Sequence, residues 1–326
     1  MPDIQTAHID TALTNISVAY IQDESNFIAE KVFPRIPVVK QSNVYFKYNK
    51  GDFFRNEMRD RAQGTESAGA SYRTSIEEPY FCKKRSLHQD ITEEERVNFD
   101  NPLDADQDAV IFLSQKALLE RECDWAEKYF KPGVWTTEIQ GVDTTEEVTE
   151  GKVLKITNPL SDPIKMFTEA GVRMASQTGF KPNKLTLSPF VYNALKNHED
   201  ILDRIKYTQK GVVTTDLLAT LFEVDEVLVS WGVVNKSVVG AKDDIDFIFG
   251  NHALLSYCPK NPGLRIPSAG YIFTWKGLLG ASAYGSRMIR LPMDQLGLGT
   301  ERIEIEMAYD SKVVAQDLAV FFKDLV

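Results

Sequence analysis

Apolar and polar positions fall into stretches of different period along the chain. Val44, Phe46 and Tyr48 alternate with Tyr45, Lys47 and Asn49, and Tyr72, Thr74 and Ile76 alternate with Arg73 and Ser75. A period of two predicts a β-strand in each run. Residues 50–71 lie between them, too long and too charged for a tight hairpin turn, and few of their side chains could pack on a core. Such an extension suits a loop that grips a partner, or a mobile lid. Residues 1–35, with short apolar groups at Ile16-Ser17-Val18-Ala19-Tyr20 and Phe27-Ile28-Ala29, read as an arm that Pro34 and Pro37 bracket at its exit.

A helical period follows. Asn101-Pro102-Leu103-Asp104 predicts a helix start, because Asn caps, Pro suits the first position and Asp favours the positive end of the helix dipole. That helix should run to Phe130, before Pro132-Gly133, with Ala105, Ala109, Phe112, Leu113, Leu119, Cys123, Ala126 and Phe130 in one stripe that Lys116 interrupts. Residues 136–156 are acidic and irregular, a loop or a β-insert. Asp162-Pro163 opens a second helix, with Ile164, Phe167, Met174 and Ala175 on one side and Gly179 as its stop. Beyond it the pattern predicts a strand at 184–188, helices at 189–195 and 200–205, and a helix capped by Thr214 or Thr215 through Phe222. Strands are expected at 227–229, 247–249, 253–257, 271–275, 286–291 and 301–309, with 313–322 a strand or a short helix. The whole reads as α+β with segregated elements and no repeat.

Composition narrows the function classes. The chain has 326 residues, with 37 basic and 47 acidic side chains and a net charge of −10. A pI near 5.1 argues against a sequence-reading nucleic-acid binder. The charge is uneven: residues 92–150 carry 16 acids against five bases, whereas 36–90 carry ten bases against seven acids. Either these are two solvated faces, or they meet within one chain or between neighbours. Cys82, Cys123 and Cys258 match no metal spacing and read as free thiols of a reducing compartment, with Cys123 a small core residue rather than a nucleophile. The N-terminus has no signal-peptide pattern and no apolar run reaches membrane-spanning length, so the sequons at Asn15 and Asn235 read as chance.

Catalytic and metal motifs are not evident. Gly297-Leu298-Gly299 is half a dinucleotide fingerprint with no helix to follow, and Gly280-Ala281-Ser282-Ala283-Tyr284-Gly285 misses the nucleophile-elbow spacing by one place. The histidines His8, His88, His198 and His252 are scattered, and His198-Glu199-Asp200 reads as a polar cap. Asp243, Asp244 and Asp246 lack the glycine and glutamate of a calcium loop and read as a solvated turn. The expectation is therefore no catalytic residue, no cofactor and no metal.

The order of parts resembles tailed-bacteriophage major capsid proteins of the Hong Kong 97 fold, over nearly the whole chain. Residues 29–38 look like the arm leading into the family's extended loop, and 47–55 like the outbound side of that loop. Pro102 to Phe130 looks like the spine helix, and 182–205, 248–257 and 267–275 look like parts of the axial domain. The resemblance implies an N-terminal arm at 1–35 and an extended loop, a long β-hairpin, at 36–90. It implies a peripheral domain at 91–180, with the spine helix at about 102–130 and a second helix at about 162–178. An axial domain at 181–285 and return strands at 286–326, completing the peripheral domain, follow.

What the family implies of function is a coat protein, not an enzyme, that forms pentamers and hexamers of an icosahedral phage head around double-stranded DNA. Its partners would be itself, a separate scaffolding protein, a portal protein, an optional decoration protein and DNA held without sequence-specific contact, with no membrane. Its place would be the virion capsid, and the host cytoplasm during assembly. Lys47, Lys50, Arg55, Arg59 and Arg61 of the loop would meet acids such as Glu93, Glu94, Glu120 and Glu127 of a neighbour. Lys47 and Lys50 have no matching Asn and Glu, so covalent crosslinking is not expected. Two rivals share some of these features: an encapsulin-type shell protein, and a cytosolic hydrolase with a lid at 50–70.

Overall fold

The computed structural model describes residues 21–76, 79–98, 104–206, 213–263, 265–277 and 285–326. Its centre is a six-stranded mixed sheet, in the order Glu226–Val229, Lys184–Leu187, Ala253–Ser256, Ala319–Lys323, Thr137–Val142 and Lys152–Leu154. Successive side chains of a strand point to opposite faces. Val320 and Phe322 accordingly join one core, with Leu185, Leu187, Val227 and Leu255, while Ala319 and Phe321 join another, with Leu228 and Leu254. Both faces are covered, which is why these strands read as continuous apolar runs instead of alternating ones.

The first core lies under the helices Pro163–Thr178, Pro189–Lys196, Glu199–Ile205 and Thr215–Leu221. Each has a side-chain cap: Asp162, Ser188, His198 and Thr214 accept from backbone N–H groups of the first turn. Gly179 ends the first of them in the left-handed region at φ 75°, where a glycine pays no steric penalty. The second core lies under the C-terminal half of the spine helix, Ala105–Tyr129, with Trp125 fully buried against Phe33, Phe130 and Phe249.

A five-stranded sheet adjoins this body. Its long strand Glu301–Val313 pairs with Gly270–Trp275 and Ser286–Pro292 along one edge and with Lys83–Ile91 along the other, while Arg35–Val38 extends it beyond Gly270–Trp275. Gly270 must be glycine here, because a Cβ would stand 2.3 Å from the ring of Phe33. Ile91 and Ile303 of this sheet, with Ala105, Ala109 and Leu113 of the spine helix, form a third core. Beyond it two short ladders, Ser42–Asn43 with Tyr80–Phe81 and Phe46–Tyr48 with Thr74–Ile76, carry the extended loop outward.

The structure corrects some expectations and sharpens others. The spine helix is capped by Asp104, whose carboxylate accepts from Asp106 and Gln107 N–H; Asn101 and Pro102 lie outside the described residues. Phe112 is 49% exposed rather than in the core, because the N-terminal half of the helix packs on one side only. Cys123 is half-buried, and its thiol is pushed up to about 11 by burial, so it is no ready thiolate. Residues 136–156 form a β-insert with two strands of the central sheet. The strand expected at 247–249 is Ile245–Phe247, and 313–322 resolves into a 3-10 turn, Gln316–Leu318, and a strand, Ala319–Lys323. The central sheet takes strands from both sides of residues 180 and 285, and Lys83–Ile91 lies in the five-stranded sheet. Gly280 to Tyr284 lie outside the described residues.

Candidate intersubunit contact surface

The root of the extended loop is a small built structure. Asn49 caps the turn Lys50–Phe53 by accepting from Gly51 N–H at 2.9 Å. Tyr48, Phe53 and Tyr72 pack their rings together, with centroids 5.7–5.8 Å apart. Asp52 accepts from Arg73 three times, from its backbone N–H at 3.0 Å and from Nε and Nη2 at 3.1 Å each. Those bonds hold the Asp52 carboxyl below the usual carboxylate range. The clasp joins the outbound and inbound limbs, so the root keeps its shape whatever the tip does.

The five expected bases do not behave alike. Lys50 is paired within the chain with Asp317, and Arg55 lies 3.5 Å from Asp52, so both belong to the root. Phe54 lies against Gly179, which seats the root on the end of the second helix. Lys47, Arg59 and Arg61 are exposed, and Met58 beside them is 93% exposed. On the acidic side, Glu93 and Glu94 stand exposed on the short helix Glu93–Asn98, and Glu127 is exposed on the spine helix. Glu120 is already 3.3 Å from Arg85 of the same chain. Among the described ion pairs none joins one of these five bases to one of these four acids. The basic and acidic segments do meet within one chain at a different place: Arg85 bonds Asp124 at 2.6 Å and lies over the ring of Tyr309.

One charged residue was not legible as important. Glu122 is 1% exposed, and its carboxylate accepts from Ile28 N–H at 3.0 Å, Ala29 N–H at 2.8 Å and the Ser230 hydroxyl at 3.0 Å. Burial raises its carboxyl above the usual range, and the three donors oppose that. It fixes the arm to the spine helix where Phe33 enters the core. Its signal in the sequence was only its place, one turn before Trp125 on a helix otherwise outwardly acidic.

The nearest approach to catalytic geometry is Ser161, His198 and Asp200. Ser161 Oγ is 3.0 Å from His198 Nε2, and both residues are buried. However, His198 Nδ1 accepts from Asp200 N–H as the helix cap. With Nδ1 an acceptor, the proton of the neutral ring sits on Nε2 and is donated to Ser161. A ring in that tautomer cannot take the serine proton, so the pair fastens the loop at 161 to a helix. Cys82 is buried, its thiol pushed up to about 12 by burial. Asp243 and Asp246 bond Asn235 and Lys236. No cluster of three metal-ligating side chains occurs among the described residues, and no described helix is long and apolar enough to cross a membrane.

No family model matches the chain. It is 27% identical over 274 residues to the major capsid protein of Burkholderia phage BcepMu, covering 82% of this chain and 84% of that one. It is 26% identical over 327 residues to the major capsid protein of Pseudomonas phage JBD67, covering 98% and 97%. A phage-related protein from Bordetella bronchiseptica RB50 superposes with a TM-score of 0.69 at 20% identity, over 93% of this chain and 94% of that one. The capsid protein of cyanophage P-SCSP1u gives 0.62 at 12% over 98% and 93%, and the SrpI encapsulin of Synechococcus elongatus gives 0.55 at 10% over 100% and 97%. The chain is thus similar in sequence to two phage major capsid proteins and has the Hong Kong 97 capsid fold.

Proposed function

We propose that the chain is the coat protein of a phage head, assembling as pentamers and hexamers into an icosahedral shell that encloses double-stranded DNA. Its relation to two phage major capsid proteins over most of each chain carries this reading. Residues 181–285 face the local symmetry axes and 91–180 with 286–326 the periphery, as two ends of a body that shares the central sheet rather than as separate units. The loop within 36–90 reaches over a neighbour. Its exposed Lys47, Arg59 and Arg61, with the apolar Met58, are the contacting group, and Glu93, Glu94 and Glu127 are the complementary acids. Lys50, Arg55 and Glu120 serve mainly inside their own chain.

A separate scaffolding protein, a portal protein and a decoration protein are the partners of this reading, in the host cytoplasm during assembly and in the virion thereafter. The net charge of −10 suits DNA that is packed without sticking. An encapsulin-type shell is the second reading, favoured by the likeness to the SrpI encapsulin. Its particles would hold protein cargo instead of DNA. Negative-stain electron microscopy over a concentration series, with and without the scaffolding protein, tests the proposal. Closed shells or rings of five and six are expected. A uniform small oligomer under every condition overturns it.

A further inference from the structure

One end of the five-stranded sheet carries a turn that is both stiff and apolar. Between the strands Ser286–Pro292 and Glu301–Val313, Met293 N–H donates to the Thr300 carbonyl at 2.8 Å and Thr300 N–H to the Gly297 carbonyl at 3.1 Å. Inside that closure, Leu296 N–H donates to the Met293 carbonyl at 2.8 Å and Gly297 N–H to the Asp294 carbonyl at 3.3 Å. Gly297 and Gly299 take φ 145° and 76°, which glycine adopts without steric cost. Leu298 between them is 86% exposed, and Leu296 is 56% exposed.

The turn lies against the short helix Glu93–Asn98. Arg96 Nη1 donates to the Gly299 carbonyl at 3.3 Å, and a Cβ on Gly299 would stand 3.2 Å from Cβ of Glu93. Val97 follows Glu93 by four residues, so it lies on the same side of that helix, and it is 76% exposed. One exposed leucine is ordinary. Here three apolar side chains share one corner, on backbone already fixed by hydrogen bonds, so covering them costs little ordering. Glu93, Glu94 and Asp294 are exposed around the corner, and none of them joins a described ion pair.

A second copy of the same corner is a poor partner, because it would set these acids against themselves. The extended loop has the complementary chemistry. Met58 is exposed beside exposed Arg59 and Arg61, and residues 36–90 carry ten bases against seven acids. Methionine is unbranched and fits an irregular apolar seat. Met58 and Leu298 are both left in water by the single chain, so they do not cover one another within it.

We infer that the corner of Leu296, Leu298 and Val97 is the seat of Met58 from the extended loop of a second copy, with Glu93 and Glu94 receiving Arg59 and Arg61. This rests on the reading of the chain as a shell subunit whose loop reaches a neighbour, and it names the apolar surface on which the loop ends.

Hydroxyl-radical footprinting compares the unmutated protein as free subunits and as assembled particles. Met58, Leu296 and Leu298 should each lose labelling severalfold on assembly. Protection of Met58 with Leu296 and Leu298 labelled equally in both states overturns the inference and leaves the shell reading standing. A failure to assemble under every condition removes that reading and the inference with it. Crosslinking then identifies the partner, using the full-length chain with Cys123→Ser, Met58→Cys and Leu298→Cys, assembled and mildly oxidised. A 58–298 disulfide between chains is expected, seen by peptide mass and as dimers and longer ladders on a non-reducing gel. A 58–298 disulfide within one chain, a 58–58 or 298–298 link in its place, or particles without a link overturn the inference.

Discussion

The central sheet and the extended loop solve opposite problems with the same kinds of residue. In the sheet, Phe321 and Phe322 of one strand are both fully buried, one in each core. In the loop, Phe53, Phe54 and Met58 are 60%, 57% and 93% exposed. One exposed apolar side chain is ordinary, but three within residues 53–58 are what the proposed contact with a neighbour would cover. The loop root is nonetheless ordered, by the Asp52–Arg73 clasp and the three rings around it. Stiffness at the root with apolar exposure beyond it is what the proposed contact with a neighbour requires.

Breaking the body should have the largest effect. Phe321→Ala removes a ring from the core that Phe130 and Leu254 share, and should cost about 3–5 kcal/mol in urea unfolding. Glu122→Ala should cost about 2–3 kcal/mol, because it leaves two buried N–H groups and the Ser230 hydroxyl without their acceptor. Hydrogen exchange at Ile28 and Ala29 should quicken in that variant ahead of the rest of the body.

Acid separates the two kinds of carboxylate. Glu122, raised above its ordinary 4.5 by burial, favours the fold more when protonated, so its contribution improves as pH falls toward 4.5. Asp90 is held below its ordinary 3.8 by its bonds from Arg302. Glu306, despite burial, is held below 4.5 by Lys84 and Arg287. These two stabilise the fold above the ordinary carboxylate values and lose that contribution as pH falls through their lowered ones. Unfolding free energy should therefore rise slightly on acidification from neutrality, then fall at lower pH, and Glu122→Gln should abolish the rise. A monotonic fall from pH 7 in the unmutated chain would contradict the sign assigned to Glu122.

The smallest effect on stability should come from the loop root. Asp52→Asn weakens a clasp whose Arg73 is exposed and which lies outside the main cores, so the melting temperature should stay nearly unchanged while protease cleavage between residues 49 and 73 accelerates. Matching losses in both would mean that the loop is part of the body after all.

The alternating runs at 44–48 and 72–76, the cap-and-stop pair Asp162 and Gly179, and the capped helices after Ser188 and Thr214 were legible because local chemistry decides them. Phe112 misled, because a helical stripe says which side chains share a face but not how far along the helix a partner covers it. Trp125 and Glu122 were missed for the converse reason. The C-terminal half of the spine helix is enclosed on several sides by elements from distant parts of the chain, so its burial follows no single stripe. For the contact surface, charge alone picked out Lys47, Arg59 and Arg61 together with Lys50, Arg55 and Glu120. Only the folded chain separates those already paired within it.

The most direct test of the division between body and loop is to replace residues 56–71 with a short glycine–serine linker, which the adjacency of Asp52 and Arg73 allows. The variant is then compared with its parent by thermal unfolding and by electron microscopy under the same assembly conditions. The account predicts an unchanged melting temperature and no closed shells from the variant. Shells like those of the parent would contradict it.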